Sequence, residues 1–231
     1  MSTLLLIRHG RTTANSAGVL AGWTPGVLLD DSGEVQVRAL AQRLLPVPLA
    51  RIVTSPLERC RQTTDLLVAP RPTPPPVAVD ERLAECRYGD WTGRTLRELS
   101  RERLWQVVQR QPSAAVFPGP AGESLRGMAV RAIEAARAIA AELDGQAGPT
   151  AIGALISHGD VLKAILADAL GMHLDDFQRI HLDTASVSVV HYSPQRTSVE
   201  RVNDTGGALA GLHRRSRRRA PRGDAVPGGD I

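Results

Sequence analysis

Residues 3 to 7, Thr-Leu-Leu-Leu-Ile, form an unbroken aliphatic run that ends at Arg8-His9-Gly10. A strand with one wet face alternates apolar and polar residues; a strand covered on both faces does not. The run therefore predicts a central strand between two layers of helix. Stretches 51–54, 77–79 and 151–157 have the same character, and helical patterns lie between them at 32–45, 56–68, 95–110, 124–143 and 161–170. In the fourth pattern Leu125, Met128, Ala132, Ile139 and Leu143 keep the three-and-four spacing of an amphipathic helix. This order predicts an α/β fold in three layers, a mostly parallel central sheet with helices on both faces. Two late strands are expected at 185–192 and 197–202, and the proline-rich stretch 70–76 reads as an extended connector.

The net charge of +4 is misleading about partners, because its source is local. Arg214, Arg215, Arg217, Arg218, Arg219 and Arg222 stand against only Asp224 and Asp230 from residue 206 on, which accounts for the whole excess. The rest of the chain is balanced and holds three Trp, two Tyr and two Phe, few rings for stacking on bases, so a nucleic-acid partner is disfavoured. We expect one domain over 1–203 and a disordered Arg-rich tail over 204–231. No apolar stretch is long enough to span a membrane, and Arg8-His9 cuts the leading run too short for a signal-peptide core. Two cysteines, Cys60 and Cys86, make no disulfide framework. A cytoplasmic protein is expected, with a homodimer left open.

Chemistry concentrates at strand ends, where open α/β sheets place ligands. The run 3–7 delivers His9-Gly10, and 154–157 delivers His158-Gly159 in the same manner. Glycine after each histidine lets a ligand approach the backbone closely. A third strand end carries Ser55-Pro56-Leu57-Glu58, which reads as a capping box opening a helix whose N-terminus favours an anion, with Arg59 in its first turn.

These residues belong to a longer pattern. Arg8-His9-Gly10-Arg11-Thr12 with Asn15, Ser55-Pro56-Leu57-Glu58-Arg59, Glu85 with Tyr88-Gly89-Asp90-Trp91, Gly122-Glu123-Ser124 and Ser157-His158-Gly159 follow in order. Together they resemble the histidine phosphatase superfamily, in its phosphoglycerate mutase-like branch. The resemblance implies that His9 is the phosphorylated nucleophile and Glu85 the proton donor. It implies that Arg8, Arg59 and His158 clamp the phosphate, with Asn15 as a further donor and Gly159 beside His158. His9 must attack as neutral imidazole, whereas His158 serves best protonated. Arg11 stands where the family commonly has Glu or Gln, and is expected to add a cation near the mouth. Asp160 is second choice for the acid. His173, His181, His191 and His213 fit no block and are expected to be structural or solvated.

The expected activity is hydrolysis of a small phosphomonoester, a small phosphorylated metabolite being the partner, with no metal and no cofactor. A cofactor-dependent phosphomutase is the nearest alternative. Against it, Cys86 rather than Arg follows Glu85, and Lys163 is the only lysine in the chain. That lysine sits in Val161-Leu162-Lys163-Ala164, which excludes a Walker-type loop. A cysteine phosphatase needs Arg six residues after its Cys, where this chain has Leu66 and Thr92. A metallohydrolase and a non-catalytic module with a basic tail complete the alternatives. The segments 18–27 and 96–119 are expected to form the pocket's lid and to carry its specificity.

Overall fold

The computed structural model describes residues 2–148 and 150–207. Six strands, β1 (Ser2–Arg8), β2 (Leu49–Thr54), β3 (Val77–Val79), β4 (Ile152–Ser157), β5 (Val187–Tyr192) and β6 (Ser198–Asp204), form one sheet in the order β3-β2-β4-β1-β5-β6. The first four run parallel, and β5 and β6 are antiparallel additions at one side. β1 thus sits between β4 and β5, buried on both edges and both faces. That is why its aliphatic residues do not alternate with polar ones.

Successive β1 residues feed opposite layers. Leu4 and Leu6 pack in a core with the helices α6 (Leu125–Ala147) and α7 (Gly159–Ala169), and Leu5 and Ile7 pack in a second core with α2 (Asp31–Leu44) and α3 (Glu58–Val68). The expected three-layer arrangement is therefore the observed one. A short helix, α1 (Thr13–Ala17), lies outside any periodic pattern and follows directly on the first strand end.

Three boundaries differ from the sequence reading. The helix expected over 95–110 is two helices, α4 (Leu96–Leu99) and α5 (Arg103–Arg110). Leu99 and Trp105 would fall on different sides of one straight helix. The break at 100–102 lets both enter the same core. The capping box at 55–58 does not form, since α3 starts at Glu58 with Leu57 as an N-cap that makes no side-chain hydrogen bond. The Ser55 hydroxyl accepts instead from Leu57 N, one residue early, and is otherwise engaged by His158. Finally, β6 runs through Asp204, one residue past the expected domain end at 203, and Asp204 ion-pairs with Arg43 at 2.7 Å. The rest of the expected tail, from 208 on, lies outside the described residues, as do His213 and the six arginines.

Candidate active site

β1, β4 and the start of α3 bring their C-terminal or N-terminal ends to one point, and the segment after the 3-10 turn Glu81–Leu83 crosses over it carrying Glu85. His9, Asn15, Arg59 and Glu85 line a single cleft there, with Thr12, Tyr88 and a wall from Gly18 to Gly22. Arg8 and His158 are wholly buried beneath it. Gly159, first residue of α7, is buried beside His158.

His9 is held in one tautomer. Its Nδ1 lies 2.8 Å from the Gly10 carbonyl. A carbonyl only accepts, so Nδ1 carries the hydrogen and Nε2 keeps its lone pair. Burial, then Arg59 and Arg8, hold the imidazole well below its ordinary pKa and hence neutral. Gly10 is required here for packing: a Cβ would stand 2.7 Å from Val37 Cγ2 and 2.8 Å from the Gly33 carbonyl oxygen. Its N–H donates to Thr63 Oγ1, which in turn donates to the Arg59 carbonyl, so the loop after His9 and α3 are one hydrogen-bonded unit.

The cations are fixed from behind. Arg8 Nη1 donates to the Leu182 carbonyl at 2.6 Å, and Arg59 Nη2 donates to the Gly22 carbonyl at 2.9 Å. Arg59 Nη1 is buried without a protein acceptor, a costly state unless the group is kept for an anion. Asn15 accepts from Thr12 N–H and from Thr12 Oγ1 through Oδ1, which assigns its amide and leaves Nδ2 as its donor end.

His158 stacks edge-on to His9 with ring centroids 5.3 Å apart. Its Nε2 meets Ser55 Oγ at 2.8 Å. The expectation of a protonated His158 is not what the surroundings favour. Burial first, then Arg59 and His9, push its pKa well below the ordinary value, so both histidines are held neutral. Sequence reasoning had treated the two as opposites, but they share one buried, cationic environment.

Glu85 is the counterpart. Burial and the nearby Asp160 carboxylate raise its pKa to about 7, against the opposing pull of Arg59. Its Oε1 accepts from Cys86 N at 2.9 Å. Asp160, in contrast, is fully buried and accepts at 2.8 Å from the hydroxyl of Tyr88, which itself lines the cleft.

Other placements correct or extend the sequence reading. Arg11 does not add a cation to the mouth, because its Nε is paired with Asp30 at 2.8 Å, the residue that caps α2. Of the two segments expected to form the pocket's lid, 18–22 and Leu96 line the cleft. His173, His181 and His191 are occupied by Asp175, Asp183 and Glu200. Sequence reasoning missed Ser55 as a partner of His158. It also missed Arg131, whose guanidinium donates to the carbonyls of Arg82, Ala84 and Glu85, and Trp23, whose Nε1 donates to the Glu85 carbonyl at 2.7 Å. The helix spacing of Arg131 marks only a partly exposed position, and Trp23 lies in a loop with no periodicity.

A neutral imidazole over buried arginines, beside a carboxyl poised near pH 7, is a set of parts for moving a phosphoryl group. Comparison with known proteins agrees. The sequence profile of the histidine phosphatase superfamily (branch 1) matches residues 4–205, and this chain belongs to that superfamily. It is 33% identical over 206 residues to "Bifunctional protein Rv2228c" of Mycobacterium tuberculosis, the match covering 88% of this chain and 54% of that one. The chain thus spans about half the length of that curated relative. It is 30% identical over 195 residues to "Probable phosphoglycerate mutase GpmB" of Photorhabdus laumondii, covering 83% and 86% of the two chains. Among solved structures, alpha-ribazole phosphatase from Shigella flexneri superposes with a TM-score of 0.74 at 27% identity, over 88% of this chain and 96% of that one. YhfR of Bacillus stearothermophilus gives 0.75 at 29%, over 86% and 95%.

Proposed function

We propose that this chain is a phosphatase that hydrolyses a small phosphomonoester through a phosphohistidine on His9. The observation that carries the reading is the fixed tautomer of His9, whose Nε2 keeps its lone pair in a cleft that the buried Arg59 also lines. Nε2 attacks phosphorus and the bond from phosphorus to the ester oxygen breaks, while Glu85 gives its proton to the departing oxygen. The Gly10 carbonyl stabilises the imidazolium that forms, through the Nδ1 hydrogen. Water then attacks the phosphoryl group, Glu85 takes back a proton, and the bond to Nε2 breaks, releasing phosphate. Arg8, Arg59, His158 and the Asn15 amide meet the charge spread over the equatorial oxygens. That positive field comes from the protein's own side chains, so the reaction proceeds without a metal or cofactor.

Hydrolysis is favoured over a mutase by the cleft wall on the leaving-group side. Ala14, Val19, Leu20, Ala21 and Leu96 offer no cation to hold a phosphoglycerate carboxylate while a phosphate is returned to it. The free thiols of Cys60 and Cys86 fit a reaction in the cytoplasm. Brief incubation with a phosphomonoester should leave an acid-labile, base-stable phosphate on His9, and His9→Ala should abolish both the label and turnover. Full turnover in His9→Ala would overturn the reading.

A further inference from the structure

Two consecutive residues tie the phosphate end of the cleft to the acid. The Gly22 carbonyl accepts from Arg59 Nη2 at 2.9 Å, and the next residue, Trp23, donates from Nε1 to the Glu85 carbonyl at 2.7 Å. Gly22 has φ +50°, and a Cβ there would stand 2.9 Å from Thr92 Oγ1, so the turn that aims the pair needs glycine. The other surface of Trp23 is occupied: the Arg87 guanidinium lies 3.7 Å from the ring centroid, which fixes the indole plane. Leu20, Ala21 and Gly22 line the cleft, while Trp23 is turned away from it towards Arg87.

The Glu85 carbonyl receives a second donor, Arg131 Nη2 at 3.0 Å, and Arg131 is itself braced by Glu123 at 2.6 Å. Two donors from opposite parts of the chain on one carbonyl oxygen fill both its lone pairs. Glu85 is followed by Cys86 and an exposed Arg87, with no helix or strand to hold it. Its backbone is therefore set by these side-chain donors and by the Ser157 hydroxyl on the Leu83 carbonyl at 2.7 Å.

We propose that Trp23 is a positioning residue for Glu85, its indole N–H holding the acid's carbonyl at a set distance from the Arg59 end of the cleft. This rests on the phosphohistidine reading above. Trp23 touches neither the phosphate nor the leaving group; its effect is exerted through the place from which Glu85 delivers a proton. Loss of the N–H should matter when the leaving oxygen needs that proton and matter little when it does not.

Trp23→Phe removes the N–H and keeps a ring for Arg87. The measurement is the single-turnover burst of alcohol release for wild type, Trp23→Phe, Glu85→Gln and the double variant, each on an alkyl phosphate and on p-nitrophenyl phosphate. We expect Trp23→Phe to lose on the order of tenfold on the alkyl phosphate. That is less than the 10²-fold that follows a misplacement of about 1 Å, because Arg131 still holds the same carbonyl. The loss on p-nitrophenyl phosphate should be clearly smaller. In the Glu85→Gln background, Trp23→Phe should cost nothing further on the alkyl phosphate, since it acts through a group already removed. Equal losses on both substrates, no loss on either, or additive losses in the double variant would each overturn the proposal, additivity doing so even where Trp23→Phe folds poorly. A Glu85→Gln enzyme without leaving-group dependence would instead sink the acid assignment, and this inference with it.

Discussion

Nδ1 of His158 lies 3.9 Å from Oε2 of Glu85, and both side chains are buried. The pair looks like a salt bridge, but burial disfavours both charges: it lowers the histidine's pKa well below its ordinary value and raises the glutamate's to about 7. Two groups that each resist ionisation alone become ready for a phosphate dianion, whose charge would favour the imidazolium.

That relationship predicts a pKa change on binding. Inorganic phosphate or vanadate should raise the pKa of His158, because a bound anion favours the imidazolium. NMR titration of its ring protons with and without the anion checks this; an unchanged His158 would remove it from the clamp.

Glu85 makes activity and stability depend on pH in separable ways. In the proposed role of acid it works when protonated, so the burst on alkyl phosphates should decline as pH rises through about 7, the value set by burial and Asp160. Asp160→Asn removes the adjacent negative charge and should move that decline to lower pH. For stability, the folded state binds the Glu85 proton more tightly than the unfolded state. The stabilisation is present below about 4.5 and is lost as pH rises through about 7. Glu85→Gln should therefore be more stable than wild type at pH 8, by up to about 3 kcal/mol, and near wild type at pH 4.5. Denaturant unfolding at the two values decides it.

Arg59→Ala should cost about 3 to 4 kcal/mol of transition-state stabilisation, the range found for removing one fixed donor from a developing charge. Its guanidinium also carries the Gly22 contact, so Arg59→Lys, which keeps the charge but not the fork, should recover only part of kcat/KM. Near wild-type kcat/KM in Arg59→Ala would strike it from the clamp.

Gly10→Ala should destabilise the fold by roughly 1 to 3 kcal/mol, since the added methyl meets Val37 and the Gly33 backbone. Because the Gly10 carbonyl fixes the His9 tautomer, kcat should fall more than stability alone explains. Thermal melting with kinetics at a temperature where the variant is folded separates the two.

The sequence made His9 and His158 legible because aliphatic runs without alternation mark buried strands, and a polar residue after such a run has few places to go. The same logic could not say which strands are neighbours: hydrophobicity reports burial, and the pairing of β1 with β4 and β5 depends on contacts far apart in the chain. Ser55 was misread because a capping box and a histidine partner ask for the same hydroxyl, and only tertiary contact decides between them. Asp160 and Arg11 were visible as charges, but their partners, Tyr88 and Asp30, were not. The environment of His158 was misjudged because burial and three cations are properties of the assembled site, invisible at a single position.

The position of β1 in the sheet also has a temporal side. Leu5 is flanked by Ala154 and Val189, so the strand that delivers His9 leaves the ribosome roughly ten to forty seconds before the second of its neighbours is made. Until β4 is made its aliphatic stretch has two unsatisfied edges, and until β5 is made it has one, a hazard for misassembly on crowded polysomes. A nascent chain stopped before β5 would carry β1 with one edge open, so we expect catalysis to appear only once β5 has been made.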